Sequence, residues 1–373
     1  MYESEFPLDD SIVYLNHAAV SPWPRRTAAA VREFARENMQ RGSLHYEAWL
    51  GIEHSLREQL RKLINAESVQ EIALLKNTSE ALSVVAHGLT WSPGENVVIT
   101  DQEFPSNRIV WESLQSQGVE VRMAGLAGPT SPEDAVAGLV DKRTRLVSVS
   151  SVQYGTGLKM KLETLGQYCR ESGILFCVDA IQSLGAHSFD VQAIQADFVM
   201  ADAHKWLLGP EGIALFFCRA DLQENLQLHQ YGWHMVEEYG NYERRDWTPA
   251  RDARRFECGS PNMTGIHALH ASLSLIHEVG IESIETQLAV KADYLIDFLH
   301  KRPDLFELIT PPAPDRHAGI VSFRPLDRTA VKVFEDLRRQ EVLCALRGGG
   351  IRFSPHFYTP VHSLGRALAC LTD

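Results

Sequence analysis

The chain has 373 residues, 45% of them apolar and 23% charged, a globular balance that excludes disorder, collagen and coiled coil. Acidic residues number 48 and basic residues 36, for a formal charge of −12. Such a surface repels phosphate backbones and anionic lipid, so neither nucleic acid nor membrane is expected as a partner. The apolar runs Ile174–Val178 and Ile213–Cys218 are strand-sized, far below the roughly 20 residues needed to cross a bilayer. Met1-Tyr2-Glu3-Ser4-Glu5 has neither a basic nor an apolar leader, and six scattered cysteines form no Cys-x-x-Cys pair. A reducing, cytoplasmic setting is expected.

Along the chain, short apolar or β-branched runs alternate with helical ones. Strands are predicted at Ile72–Leu75, Val97–Thr100, Val119–Met123, Leu146–Ser150, Ile174–Val178, Phe198–Met200 and Ile213–Cys218. Helices are predicted between them at Ala81–Leu89, Ser106–Gln117, Ser131–Val140 and Leu162–Ser172. This alternation predicts an α/β layer structure around a mostly parallel sheet. After about Arg251 the pattern becomes α+β. A long helical stretch covers Ile266–His300, followed by strands at Phe306–Ile309 and Ile320–Phe323 and a helix at Ala330–Gln340. A strand pair around Val342–Leu346 and Ile351–Phe353 and a helix at Ser363–Leu371 complete it. The expected division is an N-terminal segment, 1–15, packing on the small domain, then a large domain, 16–255, and a small C-terminal domain, 256–373.

Ligands gather at the carboxyl ends of strands in open α/β sheets, and four features fall there. Asn77-Thr78-Ser79-Glu80 follows the first strand and opens a helix. Free N–H groups at a helix start suit a phosphate, although the same residues also make an ordinary N-cap. Asp179 ends the Ile174–Val178 run, where a carboxylate needs a partner or caps a helix, and Gln182 is within reach. Lys205 sits between an apolar strand and Trp206-Leu207-Leu208. Poor solvation there lowers an amine's pKa and makes it nucleophilic, so Lys205 is a Schiff-base candidate rather than a solvated charge. Arg352 lies in an alternating strand beside Gly348–Gly350. Its planar fork can grip a carboxylate, or simply face solvent. Together the four meet the demands of one cofactor, pyridoxal phosphate: a phosphate cradle, a covalent amine and an acid for the ring nitrogen.

Asp179-Ala180-Ile181-Gln182, with His204-Lys205-Trp206-Leu207-Leu208-Gly209-Pro210, resembles the class V aminotransferase family. Tyr14–Ala19, Thr78–Ala81, Glu103–Asn107, Arg255–Asn262 and Ile351–Tyr358 extend the resemblance nearly end to end. It implies the fold-type I pyridoxal-phosphate architecture shared by cysteine desulfurases, kynureninase and isopenicillin N epimerase. Lys205 would then carry the cofactor as a Schiff base and shuttle the substrate α-proton, and Asp179 would keep the ring nitrogen cationic. Gln182 would bond the ring hydroxyl, Thr78 and Ser79 would hold the phosphate, Phe104 would stack on the ring, and His204 would lie beside the phosphate. Ser260 would reach the phosphate of the neighbouring subunit, which implies a homodimer with its active site at the interface. Arg352 would bind the carboxylate of an amino-acid substrate, with Asn16, His17, Gln153 and Tyr154 lining the substrate side.

Two departures matter. Desulfurases need a nucleophilic cysteine on a loop before that arginine, where this chain has Gly348-Gly349-Gly350, and the nearest thiol, Cys344, sits in an apolar run. Phe104 resembles the kynureninase branch instead. The expected activity is an aminotransferase acting at the α-carbon. The alternatives are a desulfurase-like, β-lyase or epimerase activity, or a fold relative that binds without catalysis. No metal is expected, because His267 and His270 lack a third ligand.

Overall fold

The computed structural model describes residues 2–372. Strand β1 (Val13–Tyr14) is followed by two helices absent from the expected elements, α1 (Arg25–Arg41) and α2 (Tyr46–Ile64). In α2, Trp49, Glu53, Leu56, Leu60 and Leu63 recur at three- and four-residue spacing, and this stripe is buried. The central region then runs β2 (Ile72–Leu75), α3 (Thr78–Gly88), β3 (Asn96–Thr100), α4 (Ser106–Glu112), β4 (Glu120–Ala124) and α5 (Pro132–Ala137). It continues with β5 (Thr144–Ser150), α6 (Leu162–Ser172), β6 (Leu175–Asp179), α7 (Val191–Ile194), β7 (Phe198–Asp202) and β8 (Ala214–Cys218). The helix predicted over Ser106–Gln117 keeps α-geometry only to Glu112 and tightens to a 3₁₀ turn over Ser113–Gln117.

These strands form one sheet in the order β2-β8-β7-β6-β5-β3-β4. All neighbours are parallel except at β8, which runs antiparallel to both β2 and β7. Helices cover both faces, so the inner strands β6, β7 and β8 are apolar almost continuously rather than alternately. Val98, Phe176, Val178 and Val199 point to the side covered by α2, α5, α6 and the helix after residue 262. Val97, Ile99, Cys177, Phe198 and Met200 point to the side of α3 and α4.

The C-terminal part contains α8 (Met263–Val279), α9 (Ile281–His300), β9 (Phe306–Leu308), β10 (Val321–Pro325), α10 (Ala330–Arg339), β11 (Val342–Leu343), β12 (Ala345–Arg347), β13 (Gly350–Phe353) and α11 (Val361–Thr372). The single helix expected over Ile266–His300 is broken at Gly280, whose φ of +82° ends α8 and starts α9. A third core joins α9, α10 and α11 to the sheet β12-β13-β10-β9. Val13 and Leu15 belong to it, and β1 pairs in parallel with β11. The division expected at residue 256 does not follow the cores. Helix α8 buries Met263, Ile266, Leu269, Leu273 and Ile276 in the core of the large sheet, against α1 and α2. Among the described residues no helix is long and apolar enough to cross a membrane.

Candidate active site

Thr100, Ser150, Asp179 and Asp202 end the parallel strands β3, β5, β6 and β7 on one edge of the sheet. Lys205 stands in the turn after β7, buried, with its Nζ 5.6 Å from the centre of the Phe104 ring. This turn is backed so closely by the 183–187 turn that Gly185 cannot carry a side chain. A Cβ there would lie 2.3 Å from the Trp206 carbonyl oxygen, and its φ is +92°.

Asp179 is buried, and its Oδ1 accepts the Ile181 N–H at 3.0 Å. Burial pushes its proton affinity up, opposed by that N–H and by the Lys205 charge. Burial lowers the Lys205 pKa, against the attraction of Asp179 and with help from the positive field of Arg352. Desolvation thus brings the two pKa values together, so a proton can be held or released at modest cost.

The start of α3 lies beside them. Asn77 caps the helix, Thr78 N–H donates to Asp202 Oδ1 at 2.5 Å, and Asp202 N–H donates to Thr78 Oγ1 at 3.1 Å. Ser79 Oγ bonds Ser106 Oγ at 2.8 Å. His204 Nδ1 has no hydrogen-bond partner among the described residues and is 3.5 Å from Asp202 Oδ2, and burial lowers its pKa to about 4. Gln182 Nε2 donates to Ala18 O at 3.0 Å, while Trp206 Nε1 donates to Gln182 Oε1 at 2.8 Å. One of its two amide protons is thereby committed.

Arg352 is 2% exposed, with no carboxylate within ion-pair distance among the described residues. Its Nη1 donates to Tyr154 O at 2.9 Å, and its Nε is buried without a partner. Burial, with the like charge of Arg347, lowers its pKa to about 10. The Tyr154 ring meets Phe104 edge-on at 5.1 Å. Gln153 Oε1 and Asn16 Oδ1 are likewise buried and unpartnered.

Two expected residues stand apart. His17 is fully buried, with Nδ1 2.8 Å from Ser354 O and Nε2 2.7 Å from the Tyr358 hydroxyl. Both nitrogens are committed, so it ties the N-terminal segment to the small domain instead of offering a free nitrogen to a substrate. Ser260 is exposed, on a rim with Lys76, Glu80 and Gly212. Two carboxylates went unassigned in the sequence. Asp202 holds the start of α3, and Glu103 is buried beside Phe104. The place of Asp202 at the end of the Phe198–Met200 run is the signal that could have found it, as it did Asp179, and Glu103 entered only as part of the Glu103–Asn107 resemblance.

A lysine and an aspartate buried together at the carboxyl edge of this mixed sheet, near an arginine with no carboxylate partner among the described residues, fit the site of an α/β enzyme that holds an aldehyde cofactor. Residues 13–351 match the family Aminotransferase class-V. A probable cysteine desulfurase of Methanothermobacter thermautotrophicus is 35% identical over 75% of this chain and 70% of its own length. Another from Pyrococcus abyssi is 31% identical over 99% of this chain and 96% of its own. Among solved structures, the apo cysteine desulfurase of Thermococcus onnurineus NA1 superposes with a TM-score of 0.88 at 24% identity, covering 99% of this chain and 96% of that one. The complex of the cystine C-S lyase C-DES with its product cysteine persulfide gives 0.91 at 21% identity, covering 100% and 99%. The chain belongs to the aminotransferase class-V family and is a pyridoxal-phosphate enzyme with the fold-type I architecture.

The residues present fit that cofactor. Orphaned polar atoms of Arg352, Gln153, Asn16 and His204 are buried here. An acid, an amine and a helix N-terminus complete the donor set.

Proposed function

We propose that this enzyme cleaves the Cβ–S bond of a cysteine-type amino acid without parking the sulfur on a cysteine of its own. One observation carries the reading: the turn between β12 and β13 that precedes Arg352 holds no thiol and has no space for one at its first glycine. A Cβ on Gly348, whose φ is +60°, would meet Gly155 O at 2.5 Å. Cys344 is buried, and its thiol is pushed up to about 12, far from the reactive thiolate range. The curated relatives named cysteine desulfurase support the substrate class, and the cystine lyase supports the type of cleavage.

Pyridoxal phosphate, when bound, supplies the electron sink that acidifies the substrate Cα–H. Asp179 would hold its ring nitrogen, Phe104 would cover its face, Thr78, Ser79 and His204 would hold its phosphate, and Gln182 its ring hydroxyl. Arg352 would grip the substrate carboxylate, which orients the Cα–H toward Lys205. Asn16, Gln153 and Tyr154 would border the substrate. Burial lowers the Lys205 pKa toward the range in which an amine serves as a general base, which supports Lys205 as the group that takes the Cα proton. The Cβ–S electron pair then leaves with the sulfur, which is protonated. Hydrolysis of the resulting enamine yields pyruvate and ammonia.

The unit is inferred to be a homodimer in the cytoplasm. Tyr231, Tyr239, Tyr242 and Trp247 are exposed in the segment leading to Ser260, which supports a subunit contact. Six free cysteines support a reducing compartment. Holoenzyme given cystine or cysteine should release pyruvate with persulfide or sulfide, and Lys205→Ala should abolish both the release and the visible cofactor band. Conversion to the aminated cofactor with no pyruvate would replace this reading with transamination, the activity expected from the sequence.

A further inference from the structure

Glu103 is 7% exposed and pairs with no cation among the described residues. Its carboxylate is instead filled by neutral donors. Thr100 Oγ1 donates to Oε1 at 2.8 Å, and Gln153 Nε2 donates to the same oxygen at 3.2 Å. Asn107 Nδ2 and Ser150 Oγ donate to Oε2 at 2.8 and 2.5 Å. Ser150 N–H reaches both oxygens, at 3.0 and 3.1 Å. A carboxylate is retained in a dry interior only when donors replace its water, and here four residues do so.

Those donors have distinct origins. Thr100 ends β3, Ser150 ends β5, Asn107 lies in the first turn of α4, and Gln153 stands in the loop after β5. Asn107 N–H also closes the turn onto the Phe104 carbonyl at 2.9 Å. Ser150 is the register partner of Asp179.

We propose that Glu103 is the positioning residue of this site: its carboxylate pins the bend carrying Phe104, and the amide of Gln153, to the strand ends beside Asp179. The inference rests on the cofactor reading, because Phe104 has a ring to cover only when pyridoxal phosphate is bound. Glutamine is a poor substitute, because its NH₂ group would face donors where Glu103 offers an acceptor.

The test compares Glu103→Gln, Phe104→Ala and the double variant as cofactor-loaded enzymes, reading visible circular dichroism and the rate of cofactor release. Glu103→Gln should keep its far-ultraviolet spectrum and its absorbance band, lose most of the induced visible ellipticity, and release cofactor roughly tenfold faster. The double variant should be no worse than Phe104→Ala alone, since both changes remove the same cover. If Glu103→Gln does not fold, Thr100→Val and Ser150→Ala, each removing one donor, should show the same spectral loss in smaller measure. Wild-type ellipticity in Glu103→Gln, or in both milder variants, overturns the proposal, as does full additivity with Phe104→Ala. A wild-type enzyme that forms no visible band overturns the cofactor reading itself.

Discussion

Arg57 in α2 and Arg352 in β13 are both nearly withdrawn from water, but their surroundings differ in kind. Arg57, its side chain 11% exposed, reaches Glu53 at 2.7 Å and Glu257 at 2.8 Å, and Glu257 also accepts the Leu74 N–H of β2. Burial opposes its charge, but the two carboxylates more than offset this and hold its pKa above the usual value. His234 joins the cluster, bringing ligand atoms of Glu53, His234 and Glu257 within 4.8 Å of one another, yet Arg57 already bonds both carboxylates. Among the described residues Arg352 has only a backbone carbonyl, and its pKa falls. A buried charge with its partner in the fold holds the fold together, whereas one without a partner is a candidate for binding a ligand.

Substitutions can break this contrast. The largest effect should follow Arg57→Ala, which leaves two buried carboxylates facing each other. Chemical denaturation should show a loss of about 3–5 kcal/mol. Arg352→Ala should do the reverse, leaving stability unchanged or higher while kcat/KM for the amino acid drops about 100-fold. Equal destabilisation by both would erase the distinction.

Asp202 offers a finer probe. Burial, partly opposed by the Thr78 N–H, raises its pKa from 3.8 to about 6. The folded state therefore prefers the protonated acid. That contribution is complete below about pH 4 and lost as pH rises through about 6. Asp202→Asn should thus stabilise the cofactor-free protein by about 1–3 kcal/mol at pH 8 and by nothing at pH 4, seen as a pH-dependent gain in Tm. The smallest effect should be that of Cys344→Ala. It should cost about 1 kcal/mol of packing and leave the rate of sulfide or persulfide release unchanged. A large loss of that rate would give the thiol a chemical role.

The candidate acid and amine of the site were legible before any coordinates. Asp179 and Lys205 each follow a short apolar run, and such runs announce buried strands whose ends face ligands. The alternation of runs likewise gave the α/β class. Other features were hidden by distance along the chain. The role of His17 depends on Ser354 and Tyr358, more than 300 positions away, so its side chain went to packing rather than to the substrate. Thr100 and Asn107 lie within four residues of Glu103, but its other two donor residues come from the end of β5 and the loop beyond, so the full cage was not legible locally. The strand over Ile213–Cys218 was legible, but its antiparallel direction and its place between β2 and β7 were not.

Periodicity and residue chemistry are local properties, and from them came the strands and the candidate amine and acid, Lys205 and Asp179. Which charges find partners is set by contacts across the fold. Arg57 and Arg352 carry the same side chain, and only the packing of α2 against Glu257, and the lack of a carboxylate within ion-pair distance of Arg352 among the described residues, made one a structural ion and left the other a candidate binding group. Desolvation acts on both, and the partner decides the outcome.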